Sequence, residues 1–353
     1  MERDPGLDAA RAYAMILVVA THAALSFMAT PIGWAVQDRS HHLGVDLYVW
    51  VVRAFAMPIF FWLSGYFSRA VLQGGVGAFV RHRVTRILLP LVLALIPVSL
   101  ALSALWDWGR DVSTRALVAD NIPKLQRSEL PIVLGHLWYL YYLLWLSAAA
   151  LLASRLRVRA PRGIAVIAIP AVIGIGALLW IGALQTDTPL GFIPDLPILV
   201  YMGSCFLWGW FVHARPEQLE RYARHAWHAL SVAPLFLAVA AITLYQGLAA
   251  IERPPAYAIV ASGVFSLLVM TAFLGLCERY GRTPRPLLRL ASESSYWFYI
   301  AHVPLVVLLQ IALANVPVFG PLKFALIVAV TTAVCMVTYE LLVRRTRLRR
   351  VFG

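Results

Sequence analysis

Apolar residues in this chain come in long unbroken runs, with polar and charged residues confined to the gaps. Ten runs of about 18 residues or more lie near 10–31, 43–67, 84–105, 132–153, 163–184, 196–213, 227–249, 257–277, 292–314 and 321–343. A helix that crosses a hydrocarbon core of about 30 Å needs about 20 mainly apolar residues, so each run predicts a membrane-spanning helix. The pattern therefore predicts an all-α polytopic integral membrane bundle of about ten transmembrane helices. No gap exceeds about thirty residues, which leaves no room for a separate soluble domain, so 1–353 reads as one transmembrane domain. The first run follows a charged head (Glu2, Arg3, Asp4, Asp8, Arg11) and is long enough to span. It predicts an uncleaved first helix and not a signal peptide. Pro58, Pro90, Pro170 and Pro234 interrupt no assignment, because membrane helices tolerate proline.

Composition sharpens this picture. Of 353 residues 61% are hydrophobic and 13% charged, against about 25% charged in a soluble domain. That excludes a soluble globular protein, a disordered chain and a disulfide-stapled module. Cys205, Cys277 and Cys335 each sit in an apolar run and form no CxxC pair, so they read as buried free thiols. The net charge of +13 would point to nucleic acid in a soluble protein. Here it is a sidedness signal: with the N-terminus cytoplasmic, the whole of the excess falls on the inner loops. Both termini are then expected inside, and no nucleic-acid partner is needed. Arg155, Arg157, Arg159, Arg162 and the arginines of 344–350 read as topological and lipid-facing.

The informative residues are the polar ones at membrane depth, where a charge costs about 2.5–3.5 kcal/mol on insertion scales. Arg11 lies at the inner end of the first run and His22 eleven residues on, roughly 16 Å further along a helix and on the same face. His302 is expected about ten residues into a ninth helix that begins at Glu293–Ser294, and Ser295, Tyr299 and His302 share one face. Two imidazoles at matched depth predict a polar cavity; a buried polar network of purely structural role fits the same pattern. Arg83 and Arg86, beside His82, are spaced to present adjacent guanidiniums, which suits phosphate, although anchoring at the inner surface also accounts for them. His136, Trp138 and Tyr139 stand at the outer end of the fourth run, as an interfacial aromatic belt or a contact for an acceptor. His41, His42 and Asp46 have no spacing that marks a metal site, and no metal is expected. Arg53 lies seven residues after Asp46 and reads as its partial partner. Leu63-Ser64-Gly65-Tyr66 reads as a small-residue break where something packs closely.

Together these segments resemble the integral-membrane acyltransferase 3 family over nearly the whole chain. The resemblance rests on Leu7-Asp8-Ala9-Ala10-Arg11 with His22, Phe60 to Tyr66, Arg83-Val84-Thr85-Arg86 with Pro90, His136 to Leu140, Ser295 to His302, and Tyr339-Glu340. Ala56 to Phe61 and Phe79 to Arg86 further resemble the branch that succinylates osmoregulated periplasmic glucans. The resemblance implies a multi-pass enzyme of the bacterial inner membrane. It would move an acyl group, succinyl or acetyl, from cytoplasmic acyl-CoA to a hydroxyl of an extracytoplasmic glycan. No permanently bound cofactor is implied, and membrane lipids are the remaining partners. His22 would be the catalytic base, with Asp8 and Arg11 setting charge and orientation on its helix. Arg83, Arg86, His82, Ser64, His136, Trp138, Tyr139, Ser295, Tyr299, His302 and Glu340 would serve the substrates. A secondary transporter or flippase using the same polar path is the alternative; against it, the two halves show no repeat.

Overall fold

The computed structural model describes residues 4–30, 32–113, 132–155, 160–249 and 253–352. Glu2, Arg3, Arg157 and Arg159 lie outside these residues. Among the described residues thirteen α-helices follow one another: α1 (Pro5–Ala24), α2 (Leu43–Arg53), α3 (Ala56–Gln73), α4 (Val76–Arg83), α5 (Leu89–Val112), α6 (Trp138–Ser154), α7 (Ala165–Ile181), α8 (Leu196–His213), α9 (Glu217–Ala249), α10 (Ala256–Gly281), α11 (Pro286–Leu313), α12 (Gly320–Thr338) and α13 (Arg349–Phe352). No strand occurs among the described residues. Among the described residues nine helical segments are long and apolar enough to cross a membrane, and α7, at 17 residues, falls just short; it is about 26 Å long. The chain is an all-α, multi-pass membrane bundle.

Several run boundaries differ from the sequence expectation. The run 43–67 is two helices, α2 and α3, parted at Ala54–Phe55, and α3 continues without a break through Ser64-Gly65 to Gln73. The ninth helix starts at Pro286 and not at Glu293, because Pro286 supplies a ready first-turn φ while the polar residues after it hide the turn from a hydropathy reading. The third span opens with a π turn over Val84–Leu88. Pro90 has no N–H to give to the Arg86 carbonyl and its ring crowds that carbonyl, which favours the wider turn.

Helix α1 sits at the centre, packed on α3, α10, α11 and α12. Its small side chains Ala9, Ala10, Ala14 and Ala23 are fully buried and let neighbouring backbones come close, which drives helix association in lipid. Helices α3 and α8 approach through a reciprocal pair of glycines. A Cβ on Gly65 would collide with the Phe206 carbonyl, and one on Gly209 with the Trp62 carbonyl.

The segment between α1 and α2 is a folded cap. Asp38 N–H donates to Ser26 O (2.8 Å) and His42 N–H to Phe27 O (3.0 Å). Asp46 accepts from Ala29 N–H (2.7 Å) and Thr30 N–H (2.8 Å), so its carboxylate holds this turn and does not pair with Arg53. Arg53 donates instead to Thr186 O at 3.2 Å. His42 caps α2 by accepting from Gly44 N–H. The cap is latched to α12 by a buried ion pair, Lys323 Nζ to Asp38 Oδ2 at 2.8 Å, with both side chains 3% exposed or less.

Two outcomes are expected. Gly65→Ala or Gly209→Ala should destabilise the protein by about 1–3 kcal/mol, read as a lower unfolding midpoint in detergent. Lys323→Met should cost about 3–5 kcal/mol by stranding Asp38, and Asp38→Asn/Lys323→Met should recover most of it; equal midpoints for the single and double variants would contradict the latch.

Candidate functional site

Helix α1 begins at Asp4, whose carboxylate caps the Gly6 and Leu7 N–H groups at 2.9 and 3.2 Å. One turn on, α1 meets the start of α11. Ser292 Oγ donates to Asp8 Oδ1 at 2.7 Å and stands 3.5 Å from an Arg11 guanidinium nitrogen. The Arg11 guanidinium lies 4.7 Å over the Phe67 ring of α3, a cation–π contact. These groups line a cavity of about 680 Å³. Arg83, His82 and Arg86 from α4 and the π turn, Ser64 from α3, Tyr139 from α6, and Ser295, Tyr296 and Tyr299 from α11 also face it.

The cavity is wired by short polar contacts. Arg83 donates to Ser68 Oγ at 2.6 Å and its guanidinium lies 4.5 Å over Phe79. Ser68 Oγ donates to the Ser64 carbonyl at 2.5 Å, and Ser64 Oγ shares a 2.6 Å hydrogen bond with the Tyr139 hydroxyl. Arg83 Nε and Tyr296 Oη are buried without a partner among the described residues, so two polar atoms on the wall retain hydrogen-bonding capacity for a ligand. Arg86 has a different partner and donates to Arg349 O at 3.2 Å. The expected adjacency of the two guanidiniums is therefore loosened. Both residues face the cavity, but the π turn between them opens the angle that regular α geometry would keep small.

A histidine cluster adjoins this cavity across Tyr299. The Tyr299 hydroxyl donates to the His136 carbonyl, and its ring centroid is 5.7 Å from that of His136. The His136 and His302 rings are 5.4 Å apart, and the His302 and His22 rings 4.9 Å. Backbone carbonyls only accept, so they fix the tautomers. His302 Nδ1–H donates to Phe298 O at 2.8 Å, leaving Nε2 as an acceptor 3.3 Å from His22 Nδ1. His22 Nδ1–H donates to Val18 O at 2.9 Å. The remaining lone pair of the half-buried His22 is therefore on Nε2, placed to take a proton.

The folded cap covers this ring. Trp34 lies 5.8 Å from His22 and 5.0 Å from Trp106. Trp34 Nε1–H donates to Gln310 Oε1 at 2.8 Å, and Gln310 Nε2 donates to the His22 and Ala23 carbonyls at 2.9 and 3.1 Å. Trp34, Gln310 and Ser292 were not legible as site residues. Each acts across hundreds of positions in the chain, and only a polar residue deep in a run (Gln310) gave any signal.

The structure thus brings Asp8, Arg11, Ser64, His82, Arg83, Arg86, Tyr139, Ser295 and Tyr299 to one cavity, and His22, His136 and His302 to an adjoining cluster. Three expectations change. His136 does not stand in an interfacial belt: Gly135, at φ +49°, turns the chain inward so that His136 meets His302 edge to face. Trp138 is buried against Phe61 and Tyr142 and does not line the cavity. Glu340 also lies away from the cavity wall, paired with Arg344 at 2.6 Å on the turn after α12.

An acidic and basic cavity beside a histidine with a free lone pair is an arrangement for moving a group between two bound substrates with proton transfer. A family model for an acyltransferase domain matches residues 4–340. No curated protein and no solved structure matches the chain. With the match running through both the cavity and the histidine cluster, the chain belongs to the acyltransferase 3 family and is a membrane acyltransferase.

Proposed function

We propose that this protein transfers an acyl group from acyl-CoA to a hydroxyl of an extracytoplasmic glycan in the bacterial inner membrane, with His22 as general base. The observation that carries the reading is the placement of two sites on α1. Arg11 faces a cation-bearing cavity at one end, and His22, with Nε2 unprotonated, lies beneath Trp34 toward the other. Basic residues crowd the Arg11 end, and by the positive-inside rule that end is cytoplasmic. Acyl-CoA then enters past Arg83 and His82, where a guanidinium can meet the donor's pantetheine amides or, for a succinyl donor, its second carboxylate. The resemblance of residues 56–61 and 79–86 to the glucan-succinylating branch supports succinyl as the acyl group. The acceptor reaches His22 from the Trp34 side, where aromatic faces suit a sugar ring.

The chemistry needs only groups already present. His22 Nε2 takes the proton of the acceptor hydroxyl while the oxygen attacks the thioester carbonyl carbon. The tetrahedral adduct collapses, the C–S bond breaks, and the departing sulfur takes the proton back from the imidazolium. The products are the glycan ester and free CoA thiol. His302 Nε2 turns a lone pair toward His22 Nδ1 at 3.3 Å, which favours the positive charge the ring gains, while the Nδ1–H itself stays on Val18 O. Asp8 and Arg11 act at a distance through charge, and Tyr139 and Tyr299 line the route between the cavity and the histidines. A transporter along the same path has no observation in its favour that the enzyme leaves unexplained.

His22→Ala, purified folded and assayed by mass spectrometry for glycan acylation with acyl-CoA, should lose roughly 10²–10⁴-fold in rate; turnover near wild type would sink the role. Coenzyme A should raise the unfolding midpoint of the wild-type protein, and Arg83→Ala should weaken that response about tenfold in CoA concentration. Comparing envelope glycans of cells with and without the gene identifies acyl group and acceptor together.

A further inference from the structure

Beyond α12 the chain makes a second basic feature that the acyl-transfer chemistry leaves unused. Arg86, Arg345, Thr346, Arg347, Arg349 and Arg350 line an open basin of about 620 Å³. No carboxylate lines it, and Glu340 is occupied by Arg344. Among the described residues none of Arg345, Arg347, Arg349 and Arg350 is in an ion pair. Arg86 also lines the inner cavity, so the two spaces meet at its side chain.

The basin is built and not merely a run of surface charge. Helix α13 is docked by Phe352, which is 9% exposed and 5.9 Å from the Trp297 ring. Arg86 holds the Arg349 carbonyl at 3.2 Å. Turn hydrogen bonds from Arg349 N–H to Thr346 O and from Arg350 N–H to Arg347 O order the segment between. Sidedness alone would be served by arginines spread along the interface. Here they converge on one concavity at the mouth of the donor cavity. Apart from Arg86, these residues follow the segment 4–340 that the family shares.

We infer that this basin seats the phosphate-bearing nucleotide end of the donor, with its diphosphate at Arg86 and its pantetheine arm running into the inner cavity toward Tyr139 and Tyr299. The inference rests on the acyl-CoA reading proposed above. The nucleotide end of coenzyme A carries a diphosphate and a ribose 3′-phosphate. The inner cavity mixes Arg11, Arg83 and His82 with Asp4, Asp8 and Glu293, which disfavours a compact polyanion. The basin presents guanidiniums alone, whose planar forks match phosphate oxygens. A lipid phosphate shares this chemistry, and the test separates the two sources.

The full chain is placed in nanodiscs of neutral phosphatidylcholine and, separately, in discs containing phosphatidylglycerol. Dissociation constants are measured for coenzyme A, 3′-dephospho-coenzyme A and pantetheine. In neutral discs the wild-type protein should bind coenzyme A about tenfold more tightly than the dephospho form, the scale of one charge-assisted contact. Arg347→Gln/Arg350→Gln should abolish that preference and leave pantetheine binding unchanged. Phe352→Ala, which keeps every guanidinium but loosens α13, should act in the same direction. Unchanged coenzyme A affinity and preference in both variants would overturn the basin's role, as would a variant effect confined to phosphatidylglycerol discs, which would assign it to a lipid headgroup. Failure of the wild-type protein to bind coenzyme A in any disc would overturn the donor reading itself.

Discussion

A helix carrying Asp8, Arg11 and His22 cannot face lipid, because polar groups in hydrocarbon must find their partners within the protein. Much of the architecture follows from meeting that demand. Helix α1 is placed at the centre, and its alanine face lets α10 and α11 approach closely enough to reach its polar face. Ser292, His302 and Gln310 all come from α11 and contact Arg11 and Asp8, the His22 ring, and the His22 carbonyl in turn. The second helix of the site is thus matched to the first along its length, with a charged contact at one end and neutral ring and amide contacts further in.

That gradient also separates two kinds of chemistry. Charged groups gather where α1 starts, around a cavity open to the basic end. The deeper groups are neutral histidines, tyrosines and an amide, whose hydrogen bonds set orientation and tautomer without adding net charge. An imidazole held by a carbonyl at Nδ1 keeps a usable lone pair on Nε2. The same ring with Nε2 tied to a carbonyl, as His136 is to Ile300 at 3.1 Å, is oriented oppositely and presents Nδ1 inside the protein. Two histidines of one cluster are therefore not interchangeable, and the difference lies in which backbone oxygen each one meets.

The spans were legible because hydrophobic length is a one-dimensional property. So was the face shared by Arg11 and His22, since both lie on one continuous helix. His302 was legible for the same reason, and its error in helix start did not move it relative to Ser295 and Tyr299. What the sequence hid depends on departures from regular helix or on distant contacts. His136 sits on a glycine-initiated 3₁₀ turn, so counting from the edge of its run assigned it to the surface. Arg83 and Arg86 straddle a π turn, so ordinary helical spacing misjudged the angle between them. Trp34 belongs to a stretch with no run at all. Its place over His22 depends on Asp38, Asp46 and Gln310, three partners that no local pattern connects to it.

The cap that carries Trp34 shows how the side of the site away from Arg11 is held. Its turn is pinned by Asp46, its base by the buried Asp38–Lys323 pair, and its tryptophan by Gln310, which also grips the His22 carbonyl. A buried ion pair gives little net stability once desolvation is counted, but it has a strict geometry, and losing either partner leaves a charge stranded. Its value here is positional: α12 and the cap are locked in one register, and Trp34 and His22 share Gln310 as a common strut. Any shift of Trp34 breaks its contact with Gln310, which also holds the His22 carbonyl. The positions of Trp34 and His22 are in this way coupled through one amide side chain, so neither the cap nor the start of the following turn can shift without the other.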